Sequence, residues 1–147
     1  MAYESNLQDM LVRHEGERLN LYPDSKGLMT IGVGRNIEER GISQEESRFM
    51  LQNDIDISTN ELDQTFHWFC NLGVVRGAAM VDLAFNLGMP TLKTFKKTLG
   101  FMEAGEYDLA ADELLRGTGE GGKSRYYVDV GQRAEEISEM IRTGQWQ

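Results

Sequence analysis

The sequence has one cysteine, and its apolar residues are spread in short groups. A single cysteine, Cys70, cannot form a disulfide within the chain, which favours folding in a reducing compartment. No stretch approaches the roughly 18 apolar residues of a membrane-spanning helix. Residues 1–11 mix polar and apolar side chains, a pattern that is not typical of a signal peptide. We therefore expect neither a membrane span nor a classical secretion signal.

Positive charge is also scarce. The 147 residues include 15 Lys and Arg against 24 Asp and Glu, which gives a formal net charge of −9. Nucleic-acid binding needs clustered cations that neutralise phosphates, so nucleic acid is not expected as the main partner. The acidic surface is more simply explained by solubility. With 40% hydrophobic residues, a chain of this length can bury the core of a single domain.

A β-hairpin is predicted near the amino terminus. Residues 4–15 have helical periodicity, and Gly16 is a natural helix end. Residues 18–22 alternate as a strand does, residues 23–27 have the composition of a turn, and residues 28–33 form the returning strand. Residues 38–41 are interpreted as a short loop.

The rest of the chain is predicted to be helical. Ser43 and Glu46 form a capping box at the start of a helix that runs to about residue 62. Residues 73–87 are apolar on most faces and predict a central buried helix. Further helices are expected over 91–103 and 106–116, followed by a flexible glycine-rich connection at 118–122 and a final helical region over about 125–142. The buried face of the 43–62 helix is assigned to these residues: Phe49, Met50, Asn53, Ile57 and Leu62.

These elements predict an α+β fold in which a small β-hairpin lobe and a larger helical lobe are joined by a long helix. Residues 1–147 would form one domain. Its small β lobe would cover residues 16–42 and its connecting helix residues 43–62. Residues 1–15 and 63–147 would form the helical lobe.

Two carboxylates flank the first predicted strand. Glu15 closes a helix, at the end where an acid gains nothing from the helix dipole. Asp24 lies on the turn after the strand, so both side chains can point into one cleft. Hydrolysis of a glycoside uses such a pair, one protonated acid for the leaving oxygen and one carboxylate on the other side of the sugar. Spacing alone is weak evidence, because most acids in an acidic chain are simply solvated.

A longer motif makes this interpretation specific. It reads Glu15-Gly16-x-Arg18-Leu19-x-x-Tyr22-x-Asp24-x-x-Gly27-x-x-Thr30-Ile31-Gly32-x-Gly34. This motif resembles the catalytic signature of the phage lysozymes, the muramidase endolysins that cleave peptidoglycan. The resemblance continues over residues 43–56, which resemble the family's inter-lobe helix, over residues 76–88, which resemble its buried central helix, and in the carboxyl-terminal region. Only about residues 35–42 and 57–72 fall outside it. The lysozyme-like fold is therefore the expected one.

The resemblance implies roles for three motif residues and for several residues outside the motif. Glu15 would be the general acid, and Asp24 would position or activate a water molecule. Thr30 would hold that water on the far face of the sugar, which gives inversion at the anomeric carbon. Arg133 matches an arginine that pairs with the catalytic glutamate in the family. Substrate contacts are expected from the residues that match the family's cleft: Leu28, Phe85, Asn86 and Arg133.

Two residues depart from the family pattern. Arg35 stands where the family usually has a histidine, so a salt bridge to a carboxylate could persist without the histidine's pH dependence. Asp82 stands where the family has a cleft asparagine, and it is expected to add negative charge near an anionic polymer. The short connection between Gly34 and Ser43 predicts a more open cleft.

Other chemically capable residues have simpler explanations. His14 is expected to pack, and His67 has no second ligand at a useful spacing, so no metal site is predicted. Cys70 is interpreted as a small buried hydrophobic residue. Tyr22 and Tyr126 could stack on sugars, although packing is at least as good an explanation.

The resemblance implies an endolysin that hydrolyses the β-1,4 bond between N-acetylmuramic acid and N-acetylglucosamine, as a monomer and without a cofactor. Its partner would be peptidoglycan glycan strands. It would stay in the host cytoplasm until a separate hole-forming membrane protein releases it to the periplasm and cell wall, or it would be delivered on the virion. Two alternatives stay open: a lytic transglycosylase, and a non-catalytic lysozyme-fold protein that binds the wall or forms part of the virion.

Overall fold

The computed structural model of the chain describes residues 2–147 and the side chains of these residues except 2–4 and 120. The chain divides into two compact units, Met1–Met50 and Leu51–Gln147. The elements combine many helices with one three-stranded antiparallel sheet, so the predicted α+β class is confirmed. Unit 1 contains α1 (Ala2–Glu15), β1 (Arg18–Pro23), β2 (Met29–Gly32), β3 (Arg35–Asn36), α2 (Ile37–Arg40) and the first turns of α3 (Gln44–Thr65).

The predicted hairpin is confirmed, and a third strand extends it. The strand order is β1-β2-β3, with Tyr22 paired to Thr30 and Thr30 paired to Asn36. The chain reverses between β2 and β3 through Gly32 and Gly34, whose φ angles are 66° and 70°. Only glycine adopts such positive angles without strain. Thr30 consequently lies on the central strand of the sheet.

The expected loop at 38–41 is wrong, because residues 37–40 form the single helical turn α2. The side chain of Asn36 caps this turn by accepting a hydrogen bond from the backbone N–H of Glu39 at 3.0 Å. Gly41 ends the turn with a φ of 62°. A capping residue and a terminal glycine are sufficient to make one helical turn from a segment without apolar periodicity.

Unit 2 is helical. It contains the rest of α3 and the helices α4 (Gly73–Leu87), α5 (Met89–Leu92), α6 (Lys96–Glu103), α7 (Tyr107–Leu115), α8 (Arg125–Val130) and α9 (Gln132–Thr143). Short 3₁₀ turns cover Phe69–Asn71 and Glu120–Gly122.

A predicted helical region and a predicted helix each contain a break. The helical region predicted over 125–142 is confirmed, and it divides into two helices because Gly131 adopts a φ of 56° between α8 and α9. The predicted helix over 91–103 is wrong as one element. Pro90 lies in the first turn of α5, and Phe95 leaves the helical region before α6 begins. Periodicity spans these breaks because the apolar face resumes on the far side of each.

The core of unit 2 is organised around α4, as expected from its apolar sequence. Its buried residues are Ala79, Met80, Leu83 and Ala84. They join a cluster with buried side chains from α6, α7 and α9, which include Met102, Leu114 and Ile141. The helices that carry the candidate site residues of unit 2 are therefore held in place by one shared hydrophobic core.

The predicted buried face of α3 is mostly wrong. Leu62 is fully buried, but Phe49, Met50 and Ile57 are 70%, 53% and 57% exposed. Phe49 and Met50 border an apolar hollow of about 570 Å³ in unit 1. Periodicity identified an apolar face but not the length of helix over which that face meets a core.

Among residues 2–147, no helix is long and apolar enough to cross a membrane.

Candidate active site

Glu15 is the last residue of α1, and Gly16 ends the helix with a φ of 76°. The backbone N–H of Gly16 donates to the carbonyl oxygen of Val12 at 2.9 Å, which closes the last turn. A Cβ atom placed on Gly34 would lie 3.9 Å from Oε2 of Glu15. The carboxylate of the predicted general acid thus lies beside the turn that joins β2 and β3.

Asp24 is held by the turn that it helps to form. Its Oδ1 accepts hydrogen bonds from the backbone N–H groups of Lys26 at 2.8 Å and Leu28 at 2.9 Å. Its backbone N–H donates to the carbonyl oxygen of Leu28 at 2.9 Å. No bond from a described residue to Oδ2 accompanies these, so Oδ1 is committed to the turn while Oδ2 remains available to accept a hydrogen bond.

Thr30 is buried, with 3% of the residue exposed. Its hydroxyl donates to the carbonyl oxygen of Leu28 at 3.1 Å. Because that bond uses the only hydroxyl proton, Thr30 can act toward a further polar group only as an acceptor. Asp24 and Thr30 are therefore both fixed to the backbone of Leu28, a residue for which the family resemblance implies a substrate contact.

Arg35 forms a salt bridge with a carboxylate, which is the interaction that the sequence allows for this departure from the family pattern. The guanidinium pairs with Glu46, and its Nε donates to the carbonyl oxygen of Gly41 at 3.0 Å. Glu46 also completes the predicted capping box, since its carboxylate accepts from the N–H of Ser43 at 2.7 Å and its own N–H donates to Ser43 Oγ at 3.1 Å. The N–H of Ser43, and to a smaller extent Arg35, hold the pKa of Glu46 below its ordinary value. One carboxylate thus joins the end of the sheet to the start of α3.

In unit 2, Arg133 pairs with Asp82. Arg133 Nε donates to Asp82 Oδ1 at 2.9 Å, and Nη2 donates to Asp82 Oδ2 at 3.0 Å. This bidentate pair joins the first turn of α9 to α4. Asp82 was expected to add negative charge, but the arginine neutralises it locally. The expected pairing of Arg133 with Glu15 would join residues of different units and stays a prediction.

Phe85 and Arg133 border the same apolar hollow, which has a volume of about 770 Å³ and is called here the α4 hollow. Most of its walls are apolar side chains of α3, of α4 and of the turn before α4. They include these residues: Leu51, Ile55, Phe69, Cys70, Val74 and Val81. Cys70, expected to be buried, is exposed. Asn86 lies on α4 and is exposed, but it does not border the hollow. Unit 2 therefore brings together two of its three predicted contact residues.

Tyr126 packs in the core and does not offer a sugar-stacking face. Only 3% of the residue is exposed, and its ring meets that of Phe95 edge-on, with centroids 6.2 Å apart. Burial, together with the negative charge of Asp82, raises the pKa of Tyr126 to about 12. Of the two alternatives for this residue, the structure supports packing.

Sequence reasoning did not anticipate the pairing of Asp82 with Arg133. A signal for it was present. An arginine in the first turn of a helix lies at the positive end of the helix dipole, where a cation is disfavoured. This signal could only have been recognised once Gly131 was identified as a break that places Arg133 in the first turn of a new helix.

Comparison with known proteins supports the family resemblance that the motif indicates. The sequence model of the Phage lysozyme family matches residues 12–136. This chain belongs to the phage lysozyme family. The match includes α4 and the hairpin residues Asp24, Leu28 and Thr30. The predicted family and lysozyme-like fold are thus confirmed, and family membership supports glycoside hydrolysis as the general activity.

Individual phage lysozyme relatives are distant but of similar length. Probable T4-type lysozyme 1 of Dictyostelium discoideum is 27% identical over 169 aligned positions, which cover 95% of each chain. Probable T4-type lysozyme 2 of the same organism is 28% identical with the same coverage. The endolysin of Salmonella phage P22 is 30% identical over 123 positions, which cover 78% of this chain and 82% of that protein.

Proposed function

We propose that this protein is a muramidase endolysin that hydrolyses the β-1,4 bond between N-acetylmuramic acid and N-acetylglucosamine in peptidoglycan. The observation that carries the proposal is the anchoring of Asp24 and Thr30 to the backbone of Leu28, in the same unit as Glu15 and within a phage lysozyme sequence. A carboxylate and a hydroxyl fixed by one backbone residue form a pre-organised pair.

Glu15 is assigned as the general acid. It would protonate the glycosidic oxygen as the bond to the anomeric carbon breaks, so that the leaving sugar departs as an alcohol. Its position supports this assignment, because Gly34 carries no side chain that would cover the carboxylate.

Asp24 and Thr30 are assigned to the attacking water. Asp24 Oδ2 would accept one proton of the water as general base, while Thr30 Oγ would accept a hydrogen bond from the other. A water that donates both protons presents an oxygen lone pair for attack at the anomeric carbon. This arrangement inverts the anomeric configuration and needs a carboxyl separation of about 6.5–9.5 Å, wide enough to admit water.

Substrate contacts are assigned to Leu28 in unit 1 and to Phe85, Asn86 and Arg133 in unit 2. Phe85 is 47% exposed and offers a ring face to sugars, while Arg133 offers N–H donors. No step needs a metal or another cofactor.

The organisation and cellular route are also proposals. Residues 1–147 would act as one monomeric lysozyme-like domain, with the small lobe at 16–42, the connecting helix at 43–62 and the helical lobe formed by 1–15 and 63–147. The enzyme would wait in the host cytoplasm until a separate hole-forming protein gives it access to the wall. Membership of the phage lysozyme family and the similarity to the endolysin of Salmonella phage P22 support this route.

Lysis of permeabilised Gram-negative cells tests the assignment. Glu15→Gln should abolish the fall in turbidity, and Asp24→Asn should reduce it by at least about a hundredfold, as expected when a catalytic acid or base is lost. Glu17→Gln is the matched control, because it removes a neighbouring exposed carboxylate and should clear cells like the wild type. Clearing by Glu15→Gln at the wild-type rate would contradict the proposal.

A further inference from the structure

The bidentate pair of Asp82 and Arg133 has a geometry that leaves part of the arginine available. A guanidinium has five N–H groups, and the pair uses one on Nε and one on Nη2. The two N–H groups of Nη1 make no hydrogen bond to a described residue. The side chain of Arg133 is 40% exposed and that of Asp82 35% exposed, and both border the α4 hollow, so the pair is accessible to a ligand.

Helix stability does not explain why an arginine lies here. Arg133 follows Gln132 in the first turn of α9, where the helix dipole disfavours a cation. A half-exposed ion pair also contributes little to folding. The pair is therefore better explained by what it does to the arginine than by what it adds to stability.

Within the described part of the chain, Asp82 and Arg133 are the only charged residues that border the α4 hollow, and they border it together. An unrestrained arginine samples many rotamers, and ordering it on binding is unfavourable. Asp82 orders the guanidinium before the ligand arrives. It also cancels the positive charge, which leaves a neutral pair with directed N–H donors.

We propose that Asp82 is a positioning residue, which holds Arg133 so that its free N–H edge binds uncharged oxygen acceptors of the glycan strand. The acceptors with this chemistry are sugar hydroxyls and acetamide carbonyls, rather than the carboxylates of the peptide stems. This inference rests on the proposed function, because it takes the glycan strand as the ligand of Arg133.

The proposal separates two effects of Asp82, its charge and its geometry. Asp82→Asn removes the charge but keeps one acceptor for Arg133. It should lower KM for peptidoglycan severalfold at low salt and make KM rise with salt, since an uncompensated arginine attracts anionic stems. Asp82→Ala removes both acceptors and should lower kcat by about tenfold through misorientation.

The test is steady-state kinetics on soluble peptidoglycan strands from low to physiological ionic strength. The variants are Asp82→Asn, Asp82→Ala, Arg133→Gln and the double variant Asp82→Ala/Arg133→Gln. Because Asp82 acts through Arg133, the double variant should be no slower than Arg133→Gln alone. Asp112→Asn is the matched control, since Asp112 pairs with Arg142 and does not border the hollow. It should leave kcat and the salt dependence unchanged.

A purely structural role would change thermal midpoints but not the split between kcat and KM. Unfolding scans establish that each variant is folded, and the ¹⁵N-detected Nε–H signal of Arg133, compared between wild type and Asp82→Ala, reports whether the pair forms in the folded protein and is lost as designed. If Asp82→Ala keeps the wild-type kcat, or if the losses of the two single variants multiply, the role of Asp82 is contradicted. A wild type that releases no glycan fragments contradicts the proposed function, and this role with it.

Discussion

The hydroxyl of Thr30 donates to the carbonyl oxygen of Leu28 at 3.1 Å, and the backbone N–H of the same Leu28 donates to Asp24 Oδ1. This bond fixes which way Thr30 can interact with water. It leaves an oxygen that accepts and cannot donate. The role proposed for Thr30 depends on that polarity.

Replacing Thr30 with valine keeps the shape and removes the oxygen. Thr30→Val should reduce cell-wall hydrolysis by at least about tenfold, because the water loses one of its two acceptors. It should also lower the free energy of unfolding by about 1 kcal/mol, the usual loss for a buried hydrogen bond. Thr30→Ser keeps the hydroxyl and should be intermediate in rate. Equal rates for the valine and serine variants would contradict the role.

Gly34 and Gly32 form a matched pair for testing the position of Glu15. Both have positive φ angles, so alanine at either should destabilise the protein by about 1 kcal/mol. Only Gly34→Ala places a methyl group 3.9 Å from Glu15 Oε2, since nothing lies within 4 Å of a Cβ on Gly32. Urea unfolding should give similar losses of stability. Turbidity assays should show a clearly larger loss of rate for Gly34→Ala, and equal rates would contradict this placement of Glu15.

The salt bridge of Arg35 and Glu46 predicts a pH dependence. The pKa of Glu46 is lowered below its ordinary 4.5 in the folded protein, so the carboxylate stabilises the fold above about pH 4.5. That contribution is lost as the pH falls through the lower folded value. Glu46→Gln should therefore unfold more easily than wild type at pH 7, and the difference should shrink below pH 4.5.

Between pH 6 and 8 the same difference should stay constant, because arginine does not titrate there whereas histidine would. Thermal unfolding across this range measures it. Glu45→Gln is the control, since no bond to Arg35 or Ser43 is made by Glu45. A difference between Glu46→Gln and wild type that widens on acidification would contradict the assignment.

Tyr126 has a buried hydroxyl without a hydrogen-bond partner among the described residues. Removing it should raise the free energy of unfolding by up to about 1 kcal/mol, because an unpaired buried polar group is unfavourable. Tyr126→Phe and Tyr127→Phe can be compared by urea unfolding, since the hydroxyl of Tyr127 bonds to Glu135. Tyr126→Phe should leave the free energy of unfolding unchanged or raise it. A loss of stability larger than that of Tyr127→Phe would show that the buried hydroxyl has a favourable partner, and would contradict this prediction.

The sequence was sufficient for the features that depend on local chemistry. The helix end at Glu15, the turn at Asp24 and the capping box of Ser43 and Glu46 follow from glycine, proline and capping preferences that act within a few residues. The ordered motif from Glu15 to Gly34 then identified the family. These are the parts in which prediction and structure agree.

Features that depend on distant residues were not predictable in the same way. The pairing of Arg133 with Asp82 joins positions 51 residues apart, and no local pattern specifies it. The breaks at Gly131 and before Lys96 interrupt helices whose apolar faces continue. The exposure of Phe49 depends on where α3 meets a core and not on its periodicity. Tertiary packing decided each of these.

The central claim is that water held at Asp24 and Thr30 hydrolyses the glycan, with Glu15 as the acid. Digestion of purified peptidoglycan in ¹⁸O-labelled water tests this claim most directly. Mass spectrometry of the released muropeptides gives the outcome. The wild type should produce muramic acid ends that carry one heavy oxygen, and Glu15→Gln should release none. Release of anhydro ends without the label, or no release by the folded wild type, would contradict the account.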